Sequence, residues 1–199
     1  MANTLESRMM QAADEKLSKE QAQSPSAGAV SIRKARPGDI PRMQEIFAIA
    51  RDFMARNGNP NQWGPDYPGE ELLRSDIESA DSYVIEQGGK VIATFVLRGG
   101  EDPTYKVIYD GKWLDEGPYA TIHRIASDLS RKGILHLAVQ FALRSYSSLR
   151  IDTHRDNAVM RSAVLREGFR YCGIIRCWNG SERLAYQYIC KPSTDCKES

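Results

Sequence analysis

The sequence predicts an α+β protein in which helices flank one sheet, and three observations support that class. Its 199 residues suit a single domain. Predicted strands and helices alternate along the second half, which favours a sheet covered by helices. Gly88-Gly89-Lys90 lies between two short apolar runs. This pattern is typical of a hairpin turn that joins two strands.

The elements of the first half follow from hydrophobic spacing and turn residues. Ile40, Met43 and Phe47 recur at helical spacing, and Asp39 stands where it can cap the helix that they predict. The predicted strands span 31–35, 82–86 and 91–97, and the predicted helices span 40–55 and 70–79.

The second half opens with a loop, 99–118, that carries more aromatic residues than a plain linker needs. Predicted strands then span 119–126, 149–153, 170–175 and 184–189, and predicted helices span 134–146 and 157–166. The aromatic loop is therefore expected to fold over another part of the protein.

The first thirty residues mix charged residues with Gln, Ala and Ser, and a joint around Pro25 follows. Such a segment buries too little apolar surface to offset the entropy of ordering it. We expect a flexible N-terminal extension over 1–30 and a folded domain over 31–199.

Composition excludes several functional classes. The 27 Lys+Arg and 26 Asp+Glu residues leave a formal charge of +1, which disfavours a nucleic-acid binder. No run approaches the roughly 20 apolar residues of a membrane span, so we expect a cytoplasmic protein that does not bind membranes. The four cysteines, Cys172, Cys177, Cys190 and Cys196, lack metal-ligand spacing and are expected to be reduced thiols. No metal site is predicted.

The loop Asp128-Leu-Ser-Arg-Lys-Gly133 joins a predicted strand to the start of a helix. Free N–H groups and the positive end of the helix dipole favour a phosphate at such a position. Arg131 and Lys132 add positive charge. A strand–loop–helix turn rich in Ser and Gly is also common without a ligand, so this feature alone leaves both interpretations open.

The order of several segments resembles the GNAT superfamily of N-acetyltransferases, in particular a bacterial branch of small members. The segments that carry the resemblance are Ile32-Arg-Lys-Ala-Arg-Pro-Gly-Asp39, Gln62-Trp63, Tyr67-Pro68, Ile122-His-Arg-Ile-Ala126, Arg150-Ile-Asp-Thr-His-Arg-Asp-Asn157, Gly168-Phe-Arg-Tyr-Cys-Gly173 and Glu182-Arg-Leu-Ala-Tyr186. The resemblance implies a three-layer α/β/α fold with a mixed, mostly antiparallel sheet.

The resemblance also implies that acetyl-coenzyme A (acetyl-CoA) is the co-substrate. Its pantetheine arm would pair with the backbone of Ile125 and Ala126, where the strand splays from its neighbour. The pyrophosphate would bind the loop whose family pattern is Arg/Gln-x-x-Gly-x-Gly/Ala. The matching residues here are Ser130, Arg131, Lys132, Gly133, Ile134 and Leu135. Ser130 and Leu135 depart from the pattern.

Two further positions matter to this resemblance. Asn157 would either contact the pantetheine arm or cap its own helix. Many relatives carry a tyrosine that protonates the leaving thiolate, and Val164 stands at the matching position here. The resemblance therefore provides no acid for that step.

Acetyl transfer to an amine needs a base that removes a proton. His123 and His154 are the candidates, because the ordinary pKa of imidazole lies near neutrality. Each histidine could instead be structural, and Glu86 and Asp152 are alternative carboxylates. His136 is expected to be an exposed helix residue.

Trp63, Asp66 and Tyr67 are predicted to bind the acceptor, with ring faces for an amine and a carboxylate as its counter-charge. Trp113 is expected instead to cover the edge of the sheet. The predicted function is acetyl transfer to a small primary amine or amino-acid-like substrate, by direct transfer in a ternary complex. The alternative is a non-catalytic module that binds or senses acyl-CoA. A homodimer through the last strands is a further expectation.

Overall fold

In the computed structural model, which describes residues 28–190, one seven-stranded sheet lies between two layers of helices. The strands are β1 (Val30–Lys34), β2 (Ser82–Gln87), β3 (Lys90–Gly99), β4 (Ala120–Ser127), β5 (Ser148–Thr153), β6 (Arg170–Arg176) and β7 (Glu182–Ile189). The helices are α1 (Ile40–Arg56), α2 (Glu70–Glu78), α3 (Ile134–Leu143) and α4 (Ala158–Arg166). Short 3₁₀ turns span Pro37–Asp39 and Pro103–Tyr105.

The strand order is β1-β2-β3-β4-β5-β7-β6. Every neighbouring pair is antiparallel except β4 and β5, which are parallel and are joined only at Ala120↔Leu149 and Thr121↔Arg150. Beyond Thr121 the two strands separate. The sheet is therefore mixed, mostly antiparallel and split at its centre.

Each face of the sheet has its own apolar core. Ile122 and Ile151 pack with α3 and with Val164 of α4 on one face. Ala126 packs with Phe47 of α1 and Leu73 of α2 on the other. Burying a side chain of this size stabilises the fold by about 1.5–3 kcal/mol. The helices are therefore fixed on the two sides of the split.

A bulge in β4 explains why Ile122 and Ala126 face opposite sides although four residues separate them. Val96 pairs with His123 and Thr94 with Ala126, so β4 contains one residue more than β3 across this stretch. Arg124 takes up the extra residue with a left-handed φ of 49°. Because a bulge shifts the alternation of side chains, the residues at the bulge turn toward the gap between β4 and β5.

The fold confirms the predicted class, and every predicted strand and helix is present with ends shifted by at most a few residues. The predicted cap at Asp39 is wrong in detail. Its carboxylate accepts hydrogen bonds from the Arg33 guanidinium at 2.7 and 2.9 Å and from the Arg36 N–H at 2.8 Å, rather than from the first turn of α1.

Cys172 and Cys177 are free thiols as predicted, whereas Cys190 is disulfide-bonded, which corrects that expectation. Cys196 and nearly all of the predicted N-terminal extension lie outside the described residues; the first strand begins at Val30, one residue before the predicted domain. Within residues 28–190, no helix is long and apolar enough to cross a membrane.

Candidate active site

The gap between β4 and β5 opens into a cavity of about 850 Å³. Its walls come from the end of α1, the loop 57–69, the bulge of β4, the end of β5, the start of α4 and the β6–β7 hairpin. Leu129, at the start of the predicted phosphate loop, and Trp178, in the hairpin, both line it. The cavity therefore reaches from the start of the predicted cofactor loop to the β6–β7 hairpin.

His123 lines this cavity at the bulge and is held by Asp102. Its Nε2 lies 2.9 Å from Asp102 Oδ2, and the side chains are 16% and 9% exposed. The other carboxylate oxygen of Asp102 accepts hydrogen bonds from the Thr104 N–H at 2.9 Å and the Thr104 hydroxyl at 2.6 Å. The Tyr119 hydroxyl accepts the Asp102 N–H at 3.1 Å. Asp102 therefore fixes the imidazole from a rigid turn.

The same contacts keep Asp102 ionised. Burial alone would raise the pKa of this carboxyl, but the hydrogen bonds from His123 and Thr104 outweigh burial and lower the pKa well below its usual range. An ionised Asp102 favours the tautomer in which His123 carries a proton on Nε2. Nδ1 is then the ring nitrogen that can accept a proton.

Tyr105 connects His123 with a second carboxylate of the cavity. Its ring meets the imidazole edge-on at 5.8 Å, and its hydroxyl donates to Asp152 Oδ1 at 2.6 Å. Burial and the charge of Asp152 raise the pKa of Tyr105, so the phenol keeps its proton. Trp113 stacks on Tyr105 at 5.6 Å and donates to its carbonyl at 3.0 Å. Trp113 also packs against the cluster of Tyr105, Tyr119, Ile175 and Ala185, and Ile175 lies on the edge strand β6, which agrees with the predicted place of Trp113 at the edge of the sheet.

The predicted phosphate loop has an open backbone at Gly133. This residue caps α3 with a φ of +78°, and a Cβ added there would meet nothing within 4 Å. The first bond along α3 runs from the Leu137 N–H to the Gly133 carbonyl at 3.1 Å, so the preceding N–H groups are outside the helix ladder. Arg131 adds a buried Nε without a hydrogen-bond partner among the described residues.

Asp128 shapes the start of this loop. Its carboxylate accepts hydrogen bonds from the Ser130 N–H and hydroxyl and from Arg42. Burial would raise the pKa of Asp128, but these bonds and the charges of Arg42 and Lys90 lower it. Ser130 is therefore engaged in ordering the loop.

Among the other predicted cofactor residues, some line the cavity and others have buried side chains. Ile125 lines the cavity. The side chains of Ala126, Ile134 and Leu135 are buried in the two cores. For Ile134 and Leu135, only the backbone N–H groups are then suited to contact a phosphate. The side chain of Leu135, which departs from the family pattern, packs in the core and leaves the loop backbone uncovered.

Asn157 caps its own helix, which is one of the two roles predicted for it. Its Oδ1 caps α4 by accepting the Met160 N–H at 3.0 Å, and the residue also lines the cavity. Its Nδ2 donates to Gln62 Oε1 at 2.9 Å. The cap therefore ties the start of α4 to the loop 57–69.

Of the three predicted acceptor residues, two line the cavity. Trp63 packs edge-on against Phe47 at 5.7 Å and lies 5.9 Å from the ring of Tyr67. Asp66 is exposed and is not part of the cavity wall. The carboxylates that face the cavity are Asp102 and Asp152.

Of the other candidates for proton transfer, Asp152 lines the cavity, whereas His154 and Glu86 do not. His154 contacts Asp156 at 3.4 Å, and burial together with the charge of Arg183 lowers its pKa. Glu86 accepts hydrogen bonds from Arg33 at 2.7 and 3.0 Å near the sheet edge. His136 is exposed and contacts Glu167 at 2.9 Å. Val164 is fully buried in the core.

Sequence reasoning missed Asp102, Arg98 and Arg183, which all line the cavity. Asp102 precedes Pro103, an arrangement typical of a turn, but its pairing with His123 spans 21 residues and left no local signal. Among residues 28–190, no group of three or more His, Cys, Asp or Glu side chains is placed to hold a metal ion.

This fold, a mixed sheet split at the parallel pair of β4 and β5, matches solved structures of acetyltransferases. A GNAT-family acetyltransferase from Streptococcus agalactiae is 30% identical, with a TM-score of 0.73 over 83% of this chain and 98% of that chain. A GNAT-family acetyltransferase from Listeria monocytogenes is 20% identical, with a TM-score of 0.60 over 82% and 98%.

A third protein, from Salmonella typhimurium, was crystallised with its cofactor acetyl-CoA; it is 13% identical, with a TM-score of 0.52 over 86% of this chain and 100% of that chain. No family model matches the chain, and no curated protein matches it. The chain belongs to the GNAT family of acetyltransferases.

Proposed function

We propose that this protein is an acetyl-CoA-dependent N-acetyltransferase that acts on a small primary amine or amino-acid-like substrate by direct transfer in a ternary complex. The observation that carries the proposal is the cavity at the β4–β5 split, into which His123 projects while Asp102 holds it at 2.9 Å. Leu129, at the start of the predicted cofactor loop, lines the same cavity as His123.

The residues of the split fit acetyl-CoA. Gly133 leaves open space at the start of α3, the N–H groups there are outside the helix ladder, and Arg131 has a buried Nε that lacks a partner among the described residues. These groups suit a diphosphate. Ile125 and Asn157 line the gap where the pantetheine arm would lie. Acetyl-CoA supplies an activated acetyl group as a thioester.

His123 provides the base. A primary amine is mostly protonated at neutral pH and attacks only after losing a proton. The ammonium first gives one proton to His123 Nδ1, directly or through water. The neutral amine nitrogen then bonds to the thioester carbonyl carbon, the C–S bond breaks, and the second proton that the nitrogen must lose passes through water to the coenzyme A thiolate, which leaves as the thiol. Asp102 stabilises the imidazolium that results.

The thiol of Cys177 supports direct transfer over an acetyl-cysteine intermediate. Cys177 lines the cavity, but burial and the charge of Asp152 raise the pKa of its thiol. A thiol is a far weaker nucleophile than a thiolate. The amine therefore attacks the thioester itself.

The test is release of the coenzyme A thiol from acetyl-CoA in the presence of a panel of primary amines and amino acids. We expect turnover with at least one acceptor, and His123→Gln should lower it by about 10²–10⁴-fold with cofactor affinity retained. His136→Gln is the matched control, because its imidazole is 56% exposed and outside the cavity.

His154→Gln separates the two candidate histidines: a loss of turnover there, with none in His123→Gln, would reverse the assignment of the base. If calorimetry shows that acetyl-CoA binds but no acceptor causes release of the coenzyme A thiol, the result would favour the alternative, a module that binds or senses acyl-CoA.

A further inference from the structure

The side-chain amide of Gln62 has a fixed orientation in the cavity wall. The Met160 N–H, which can only donate, bonds to Asn157 Oδ1 at 3.0 Å. Asn157 must therefore present its Nδ2 to Gln62, 2.9 Å away, and Gln62 must present its Oε1 in return.

The Gln62 side-chain oxygen accepts several hydrogen bonds, whereas its NH₂ group donates none within residues 28–190. Besides Asn157, Asn59 Nδ2 donates to Gln62 Oε1 at 2.8 Å and the Thr153 hydroxyl approaches it at 3.4 Å. Within residues 28–190, no group accepts a hydrogen bond from Gln62 Nε2. Gln62 lines the cavity, so this NH₂ is a preorganised donor for a ligand.

Arg183 lies beside Gln62 with an incompletely paired charge. Its side chain is only 9% exposed, and its Nη2 donates to the Gln62 carbonyl at 3.1 Å. Its other hydrogen bonds go to neutral oxygens, the Ser181 hydroxyl and the Glu182 carbonyl, both at 3.0 Å. The nearest carboxylate oxygen, Asp152 Oδ2, is 3.9 Å from Nε, beyond hydrogen-bond distance.

The other two arginines of the cavity differ from Arg183 in this respect. Arg124 donates to the buried Asp76 at 2.6 and 3.1 Å. Arg98 donates to Asp81 at 2.9 Å. Because a buried guanidinium is costly without a hydrogen-bonded anion, Arg183 is the cationic group of this cavity that is best suited to a carboxylate from a ligand.

Asp152 is a negatively charged group beside Arg183 on the cavity wall. Its Oδ1 accepts the Tyr105 hydroxyl, and its Oδ2 has no donor within hydrogen-bond distance among the described residues. Arg183 and Asp152 thus form an open ion pair on the cavity wall. The ammonium and carboxylate of an α-amino acid are similarly adjacent, with the charges reversed.

We propose that the acceptor is an α-amino acid with a free carboxylate. Gln62 Nε2 and Arg183 bind the carboxylate, and Asp152 receives the amino group. Tyr105 contacts both Asp152 and His123, so the residue that receives the amino group and the base share one neighbour. The inference rests on the proposed function and narrows its substrate class.

The test compares amino acids with the amines that lack their carboxylate. The standard amino acids and these amines are titrated calorimetrically into the full-length protein with coenzyme A present, which has no acetyl group to transfer. We expect at least one amino acid to bind, and its matched amine to bind at least tenfold more weakly.

Gln62→Glu is the discriminating variant, because it keeps an oxygen for Asn59 and Asn157 and replaces only the free NH₂ by an anionic oxygen. It should remove the preference for the amino acid. The matched control is Gln140→Glu on the exposed side of α3, which should retain the preference. Arg183→Lys keeps the charge, removes the planar fork and should weaken amino-acid binding while amines are unaffected.

Three outcomes would overturn the inference. They are that no amino acid binds, that the matched amine binds equally well, or that the preference for the amino acid over the amine is unchanged in both Gln62→Glu and Arg183→Lys. Thiol release is measured separately on the same panel. Acetylation of amines without preference for a carboxylate would preserve the proposed function and refute this substrate class, whereas amino-acid binding without any thiol release would refute the function alone.

Discussion

Replacing Asp102 by Asn tests the central claim about the base. The Asn oxygen can still accept the two hydrogen bonds from Thr104, but its NH₂ then faces His123 Nε2 in place of the carboxylate oxygen. The imidazole must accept that hydrogen bond at Nε2 and carry its proton on Nδ1. Nδ1 is then unable to take a proton from the amine.

The magnitude follows from the bond that is lost. A hydrogen bond to a charged group contributes about 1.5–3 kcal/mol, and Asp102 is only 9% exposed, so solvent screens this bond little. At about 1.4 kcal/mol for each factor of ten, the base loses about 10–150-fold in effectiveness. We expect kcat/KM for the acceptor to fall by at least that factor, with acetyl-CoA affinity unchanged.

The assay is the pH–rate profile of thiol release for the wild type, Asp102→Asn and the control Glu101→Gln. Glu101 is adjacent in sequence, is 78% exposed and, within residues 28–190, is paired only with Lys106 at 3.4 Å, so its variant should match the wild type. A folded Asp102→Asn protein with kcat/KM within twofold of the wild type would refute the assignment of His123 as the base.

The free energy of unfolding supplies a second measurement on the same variant. The direction of its pH dependence follows from the lowered pKa of Asp102. A carboxyl whose pKa is lower in the folded state stabilises the fold fully above its unfolded pKa of about 3.9, and this contribution is lost as the pH falls toward the folded value. The difference in unfolding free energy between wild type and Asp102→Asn should therefore shrink on acidification below about pH 4.

Two other substitutions test the cofactor loop and the bulge. Gly133→Val should weaken acetyl-CoA binding at least tenfold, about 1.4 kcal/mol, because a side chain there strains a φ of +78° and blocks approach to the backbone. Gly58→Val, with a φ of +82° and equal open space, reproduces the strain elsewhere; equal affinities of both variants in calorimetry would contradict the loop assignment. Asp76→Asn should destabilise the protein by about 3–5 kcal/mol in urea unfolding, because it leaves the buried Arg124 guanidinium without its anion. A loss below about 1 kcal/mol would show that Arg124 finds another partner.

Local pattern was sufficient to predict the elements of this fold. The helical spacing of Ile40, Met43 and Phe47 depends only on which face is buried, and all three residues are buried in the structure. The turn at Gly88-Gly89 needs left-handed backbone, and both glycines have positive φ. These features are set by neighbours in sequence.

The chemistry of the cavity depends on contacts between distant segments and was predicted only in part. His123 was found because its strand carries the family resemblance, but the bulge that turns it toward the gap is not visible in hydrophobic alternation. Gln62 meets Asn157 across 95 residues, and Asp152 meets Tyr105 across 47. The charge of Asp66 near Trp63 predicts an acceptor contact, but the loop leaves Asp66 exposed and outside the cavity wall.

Only two residue pairs join β4 to β5, and this weak junction affects how the sheet unfolds. On one side of them, β1 to β4 form a continuous antiparallel ladder, and on the other side β5, β7 and β6 form a second one. Such units are able to unfold separately when few hydrogen bonds join them. A ligand lying in the gap contacts both ladders and so raises the free energy of separating them. Binding of substrate should therefore make the unfolding of the two ladders more cooperative.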